Sequence, residues 1–193
     1  MVDERELIRR ARGGDQQAFE QLVGLKRERA FRIALNIAGD EDEAADIAQM
    51  AFIRLWSSLS SFDENSRFDP WFFRMVVNLA IDSYRRKQRM PQAVPPPADD
   101  EPGALPSGTM PGADTVLMRA EIRRVFNTLA GELAPAQRAV FTLREIEGIS
   151  TDEIAKMMGI TASTVRNHLM QARRILQDGM KRRFPEYFRK GGA

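Results

Sequence analysis

Ser163, Arg166, Asn167, Met170 and Arg174 recur at helical spacing, with Gln171, Arg173 and Gln177 beside them. Guanidinium and amide groups at such intervals can hydrogen-bond base edges or hold phosphates. The residues around them say how they are carried. Ser150 and Glu153 form a capping box before an apolar stripe of Ile154, Ala155 and Met158. Gly159 permits a tight turn, and Thr161 caps a second helix whose inward positions are Val165, Leu169, Ala172 and Leu176. This is the pattern of a helix-turn-helix, whose second helix enters the DNA major groove. An ordinary helical hairpin shares the cap, turn and periodicity, but has no need of the basic outer face. His168 falls on the flank of this helix, where packing or a phosphate contact suits it better than metal ligation.

A second set lies far upstream. Trp71, Arg74, Asn78, Asp82 and Arg85 make one stripe of a predicted helix, followed by Arg86, Lys87 and Arg89. The opposite stripe is Phe72, Phe73, Val76, Val77, Leu79, Ala80 and Tyr84. Cations neutralise phosphates, asparagine reads base edges, and an exposed tryptophan stacks on an unpaired base. The plainer alternative has Trp71 lidding the core and the arginines solvated at a helix C-terminus, where the dipole favours them. A third helix carries Asp46, Gln49, Met50 and Ile53, with Trp56 at the edge, opposite a core stripe of Ala44, Ile47, Ala48, Ala51, Phe52 and Leu55. Outward Met, Ile and Trp beside an acid and an amide have the composition of a protein interface. A broad, fully buried helix is the alternative.

Other chemistries lack their residues. There is no cysteine, which removes disulfides, thiol nucleophiles and cysteine-bound zinc, and His168 is the single histidine. Neither a metal nor a cofactor is expected. A metal-dependent nuclease needs clustered acids; Asp40, Glu41, Asp42, Glu43 and Asp46 are clustered, but acids at a helix start are explained by the dipole. No apolar run reaches membrane-spanning length, and the charged opening Met1 to Glu6 leads into no signal segment, so a cytoplasmic chain without membrane insertion is expected.

The remaining elements are all helical. Asp3 with Glu6 reads as a capping box, Gly13 and Gly14 as a stop, and Asp15 as the next cap. Helix two runs to about Ala38, where Gly39 breaks it, and Asp40 with Glu43 caps helix three, to about Leu59. Asp69 and Pro70 read as the N-cap and first turn of helix four, to about Arg89. Helices follow near 114–129, 135–146, 151–158 and 162–179. Seven of the ten prolines fall between Pro91 and Ala113, predicting a flexible tether. Net charge is zero over 1–90, −4 over 91–117 and +6 over 118–193, a pattern that suits a nucleic-acid partner for the last piece but equally an ordinary charged, solvated surface. The organisation expected is two small helical domains, 1–90 and 114–193, joined by a linker over 91–113.

Taken in order, these pieces resemble a sigma-70-family factor of the extracytoplasmic-function group. Asp46 to Trp56 is similar to the region 2 helix that grips the polymerase clamp. Phe68 to Arg86 is similar to the part that opens and reads the −10 element, and Leu133 to Leu176 to region 4, which binds the −35 element and the polymerase flap. Met50 departs from the acid that usually follows the glutamine.

The resemblance implies a division of labour. Asp46, Gln49, Met50, Ile53 and Trp56 would dock on the RNA polymerase core. Phe68, Trp71, Arg74, Asn78, Arg85 and Arg86 would hold −10 promoter DNA, with Asn78 and the loop from Ser61 to Phe68 cradling an extruded base. Ser163, Arg166, Asn167, Met170, Gln171, Arg173 and Arg174 would meet the −35 element, Arg166 and Asn167 as base readers and Arg173 and Arg174 on phosphates. A cognate anti-sigma factor is a further implied partner, and no enzymatic activity is implied. The competing reading is a one-component helix-turn-helix regulator that binds operator DNA without polymerase and keeps a ligand pocket in residues 1–90.

Overall fold

The computed structural model describes residues 3–89, 122 and 124–185, and every regular element among them is helical. The Pro-rich tether and the beginning of the helix expected near 114 lie outside the described residues. In chain order the helices are α1 (Glu4–Arg12), α2 (Gln16–Ala38), α3 (Glu41–Ser58), α4 (Phe68–Arg89), α5 (124–130), α6 (Pro135–Phe141), α7 (Thr151–Met158) and α8 (Ala162–Arg183). None is long and apolar enough to cross a membrane.

Local signals set most boundaries. The Asp15 carboxylate accepts from the Ala18 N–H at 3.1 Å, and Asp40 from Glu43 N–H at 2.9 Å, so each stops an orphan donor of a first turn. Gly39 ends α2 at φ +83°, a left-handed conformation that a side chain resists. The first four helices then pack around Leu22, Ile33, Ile37, Leu55, Phe72 and Phe73, all essentially inaccessible to water. Burial of each such side chain contributes roughly 1.5–3 kcal/mol.

Three signals are answered differently. Glu6 does not close a capping box; Asp3 accepts from Arg5 N–H, while Glu6 pairs with Arg9 at 2.8 Å. Glu43 likewise turns from Asp40 towards the Ser83 hydroxyl and Lys87. Asp69 lies inside the first turn of α4, not before it, and its carboxylate meets Lys26 at 2.6 Å and Arg29 at 3.2 Å. In each case a nearby donor that is charged or supplied by another helix outcompetes the local backbone N–H.

The second half diverges from its predicted helices in two places. The segment 135–146 is not one helix: α6 ends at Phe141 and a π-helical turn spans Thr142–Ile146. Helix α8 runs past Gly179 to Arg183. Gly179 is there because α5 crosses closely; a Cβ on it would lie 2.8 Å from Leu129 Cδ2. The glycine marks an approach, not a stop. In α7 it is Met157 that is fully buried, with Met158 half-buried, because α7 is packed on two sides by α4 and α8.

The two halves are docked on each other, a feature that the sequence does not announce. α4 packs against α6 and α7, and α2 packs against α6 and the π turn. Val140, Leu143, Ile154 and Val165 join the same buried cluster as Leu22, Ile33 and Phe72. Ala130, Leu133 and Ala172 form a smaller cluster of their own.

The seam is polar as well as apolar. Arg29 and Arg32 of α2 reach Glu147 at 3.1 and 2.8 Å. Arg138 of α6 donates to the Asn36 carbonyl at 2.8 Å, capping the end of α2, and lies over the Tyr84 ring. The Tyr84 hydroxyl donates to the carbonyls of Ala130 and Leu133 at 3.2 and 3.4 Å. Arg67 pairs with Glu153 across the same seam.

Candidate nucleic-acid interface

The helix-turn-helix is built as its sequence reads. The Ser150 hydroxyl accepts from Glu153 N–H at 3.3 Å and donates to the Glu153 carboxylate at 2.9 Å. The bond from the Ser150 hydroxyl to that carboxylate, helped by Arg67, holds the Glu153 carboxyl below its ordinary value. Gly159 takes φ +67° at the turn, and the Thr161 hydroxyl caps α8 by accepting from Thr164 N–H at 3.1 Å. Val165, Leu169 and Ala172 are buried, so the orientation of α8 is fixed by its inner face.

The outer face of α8 is therefore presented to solvent. Ser163, Arg166, Asn167, Met170, Gln171, Arg173, Arg174 and Gln177 are all exposed, Met170 to 64%. Arg173 is paired with Glu145 at 2.7 Å, so its charge is already partly met within the chain. His168 is half-buried, with Nδ1 inaccessible to water and without a hydrogen-bond partner.

On α4, Arg74, Asn78, Asp82, Arg85 and Arg86 are exposed, and Trp71 is half-buried. Trp71 lies 4.9 Å from the ring of Phe62, so one face packs while the stripe continues beyond it. Phe68 does not sit on this stripe. It is 6% exposed, edge-on to Phe62 and stacked on Phe72, because it opens α4 on the core side. The stripe runs beside the second half: the Arg74 guanidinium is 4.0 Å from where a Cβ on Gly159 would be.

On α3, Ala44, Ile47, Ala48, Ala51 and Leu55 are buried, while Asp46, Gln49, Met50, Ile53 and Trp56 are exposed. Phe52 is half-buried against Phe72. Met50, Ile53 and Trp56 expose 45%, 52% and 43% of their surface. Trp56 leans on Phe19 at 4.7 Å between ring centroids, which fixes its position without covering it. Leu25 on α2, at 58%, is an exposed apolar side chain that the sequence reading does not single out.

The chain thus carries three solvent-facing stripes, on α3, α4 and α8. Residues 9–90 match the family model described as sigma-70 region 2, and residues 123–176 the model described as sigma-70, region 4. The chain belongs to the sigma-70 family, in its extracytoplasmic-function group, and serves as a sigma factor that directs RNA polymerase to promoters.

Among relatives, it is 28% identical over 181 residues to the RNA polymerase sigma-H factor of Pseudomonas aeruginosa, covering 92% of this chain and 94% of the relative. It is 28% identical over 179 residues to the extracytoplasmic-function factor SigW of Bacillus subtilis, covering 90% and 95%. Among solved structures, that of CnrH in complex with the cytosolic domain of CnrY superposes with a TM-score of 0.69 at 26% identity, over 94% of this chain and 99% of that one. The competing reading as a polymerase-independent regulator is not favoured, since region 2 occupies the half in which it requires a sensing domain.

Proposed function

We propose that the three exposed stripes divide the work of promoter recognition. Asp46, Gln49, Met50, Ile53 and Trp56 dock on the polymerase core. Trp71, Arg74, Asn78, Arg85 and Arg86 engage the −10 element. Ser163, Arg166, Asn167, Met170, Gln171, Arg173 and Arg174 engage the −35 element. Phe68 takes a supporting part, holding Trp71 from behind. The units doing this are 1–90 and 114–193, with 91–113 as the connection.

The observation that carries this reading is the exposure of Met50, Ile53 and Trp56 on one helix that the docked second half leaves uncovered. Apolar side chains of that size, rimmed by Asp46 and Gln49, suit the centre of a protein interface. Strand opening follows without a nucleotide-hydrolysing site. Extruding a base costs a few kcal/mol, and stacking on an aromatic ring returns about 1–3 kcal/mol per base. The chain then acts without catalysing a reaction of its own, in the cytoplasm where the polymerase is. The neighbour CnrH was solved in complex with the cytosolic domain of CnrY, which supports a protein partner seated on this chain as well, an anti-sigma factor.

Asn78→Ala tests the assignment. It should leave polymerase association intact and abolish permanganate reactivity of the −10 thymines in holoenzyme complexes. Normal reactivity in the variant removes Asn78 from the opening machinery.

A further inference from the structure

A line of three side-chain amides runs from α6 to the outer face of α8, and its direction is set at one end. Gln137 is the third residue of α6. Its side-chain oxygen accepts from the Ala134 backbone N–H at 3.0 Å. Ala134 has no side chain able to cap the helix, so Gln137 supplies the one bond that closes this N-terminus. A backbone N–H can only donate, and an amide carries its acceptor oxygen and its donor nitrogen on opposite sides.

The Gln137 nitrogen must then face away from the backbone, and it donates to Gln171 Oε1 at 2.8 Å. The Gln171 nitrogen in turn donates to Asn167 Oδ1 at 3.4 Å. Amide orientations are assigned from the hydrogen-bond network, and this network has a fixed end. Asn167 is exposed, with its oxygen turned along the helix towards Gln171 and its NH2 group left for whatever approaches α8.

The chemistry of the groove gives this polarity a meaning. An asparagine that reads adenine uses its oxygen and its nitrogen together, accepting from N6 and donating to N7. An asparagine that shows only NH2 matches acceptor edges, O6 and N7 of guanine or O4 of thymine; at adenine it meets N7 but leaves the N6 donor unpaired, and it offers nothing to the N4 donor of cytosine. We propose that Gln137, without touching DNA, determines which bases Asn167 accepts, biasing it towards guanine or thymine. The inference rests on the reading of α8 as the −35 helix.

The reciprocal change defines the test. Gln137→Glu keeps the acceptor for Ala134 N–H but replaces the donor facing Gln171 with a second oxygen. Gln171 must turn its nitrogen towards Glu, and Asn167 must turn its nitrogen towards Gln171, which leaves Oδ1 facing outward. The measurement is selection of bound duplexes from a library randomised over the −35 element, using holoenzyme assembled from core polymerase and the full chain.

Asn167→Ala first identifies the position that Asn167 reads, by flattening the preference there. At that position the native chain should enrich guanine or thymine, and Gln137→Glu should shift the ratio towards adenine or cytosine by about three- to tenfold, the equivalent of one net hydrogen bond. Only ratios among bases at one position are compared, so a general loss of affinity from the added charge does not enter. Gln171→Glu reverses Asn167 by the same rule with Gln137 and its cap intact, and should give the same shift. If Asn167→Ala flattens a position that neither glutamate variant moves, the relay is refuted while the groove reading stands. If Asn167→Ala changes nothing, the groove reading of Asn167 itself is wrong.

Discussion

Glu147 holds Arg29 across the seam between the two halves, its Oε2 at 3.1 Å from the arginine Nε, with Arg32 at 2.8 Å on the other oxygen. The carboxylate is 2% exposed, whereas the two arginines keep 33% and 48% of their side-chain surface in water. The pair is therefore unequal. Removing the acid releases two cations that water can still solvate, but removing the cations strands a charge that water cannot reach. Glu147→Ala should cost about 1 kcal/mol. The Arg29→Ala, Arg32→Ala double variant should cost about 3–5 kcal/mol. Urea denaturation of the two variants checks the order, and equal midpoints would contradict it.

Gly39→Ala should be the costliest single glycine replacement among the turns. A left-handed φ alone costs an L-residue roughly 1–2 kcal/mol. Gly148, at φ +67°, has open space around it, so its alanine variant carries that strain alone. At Gly39 the new Cβ would also lie 2.8 Å from Arg138 Nη2 and push the guanidinium from the Asn36 carbonyl. The difference between the two variants in thermal midpoint isolates the clash, and no difference would mean that Arg138 gives way freely.

Trp56→Ala should weaken association with core polymerase by at least about tenfold, as loss of an interface tryptophan commonly does. The fold should persist, since Trp56 touches Phe19 but is 43% exposed. Co-purification with core and far-ultraviolet circular dichroism separate the two effects. Undiminished co-purification with a lowered melting point would make Trp56 a packing residue.

Acid should loosen helix starts, those held by Asp40 and Glu153 among them. Bonds from Glu43 N–H and the charge of Lys87 hold the Asp40 carboxyl below its ordinary value, and Ser150 with Arg67 does the same for Glu153. A depressed carboxylate contributes stability that is complete above its unfolded value and is lost as pH falls through the folded one. The melting temperature should thus decline below about pH 4.5. Asp40→Asn retains a capping side chain but cannot titrate, so it should flatten part of that decline; an unchanged acid limb would place the loss elsewhere.

Much of this was legible from residue order because local rules act over a turn or two. Gly39, Gly159, Asp15, Ser150 and Thr161 mark their boundaries by conformation and capping, which need no knowledge of the rest of the chain. The stripes on α3 and α8 are legible because period and burial coincide there. What was not legible depends on partners far away. Asp69 reads as a cap until Lys26 and Arg29 stand beside it, and Gly179 reads as a terminator until Leu129 crosses it. Phe68 belongs to the core by one position in the helical turn. Arg138 and Glu147 carry no local signature, since nothing near them shows that α2 supplies their partners. Gln137 was within reach: a glutamine three residues after an uncapped start is half of a capping box.

The Arg138 socket bears on how far this chain can diverge by recombination. The guanidinium fits the bare Gly39, the Asn36 carbonyl and the Tyr84 ring, all contributed by the other half. A hybrid joining residues 1–90 of this chain to the later segment of a relative inherits one side of that fit without the other. Each half keeps its own recognition surface, yet the two are bound to change in step, and exchange between lineages succeeds only where the seam is inherited with them.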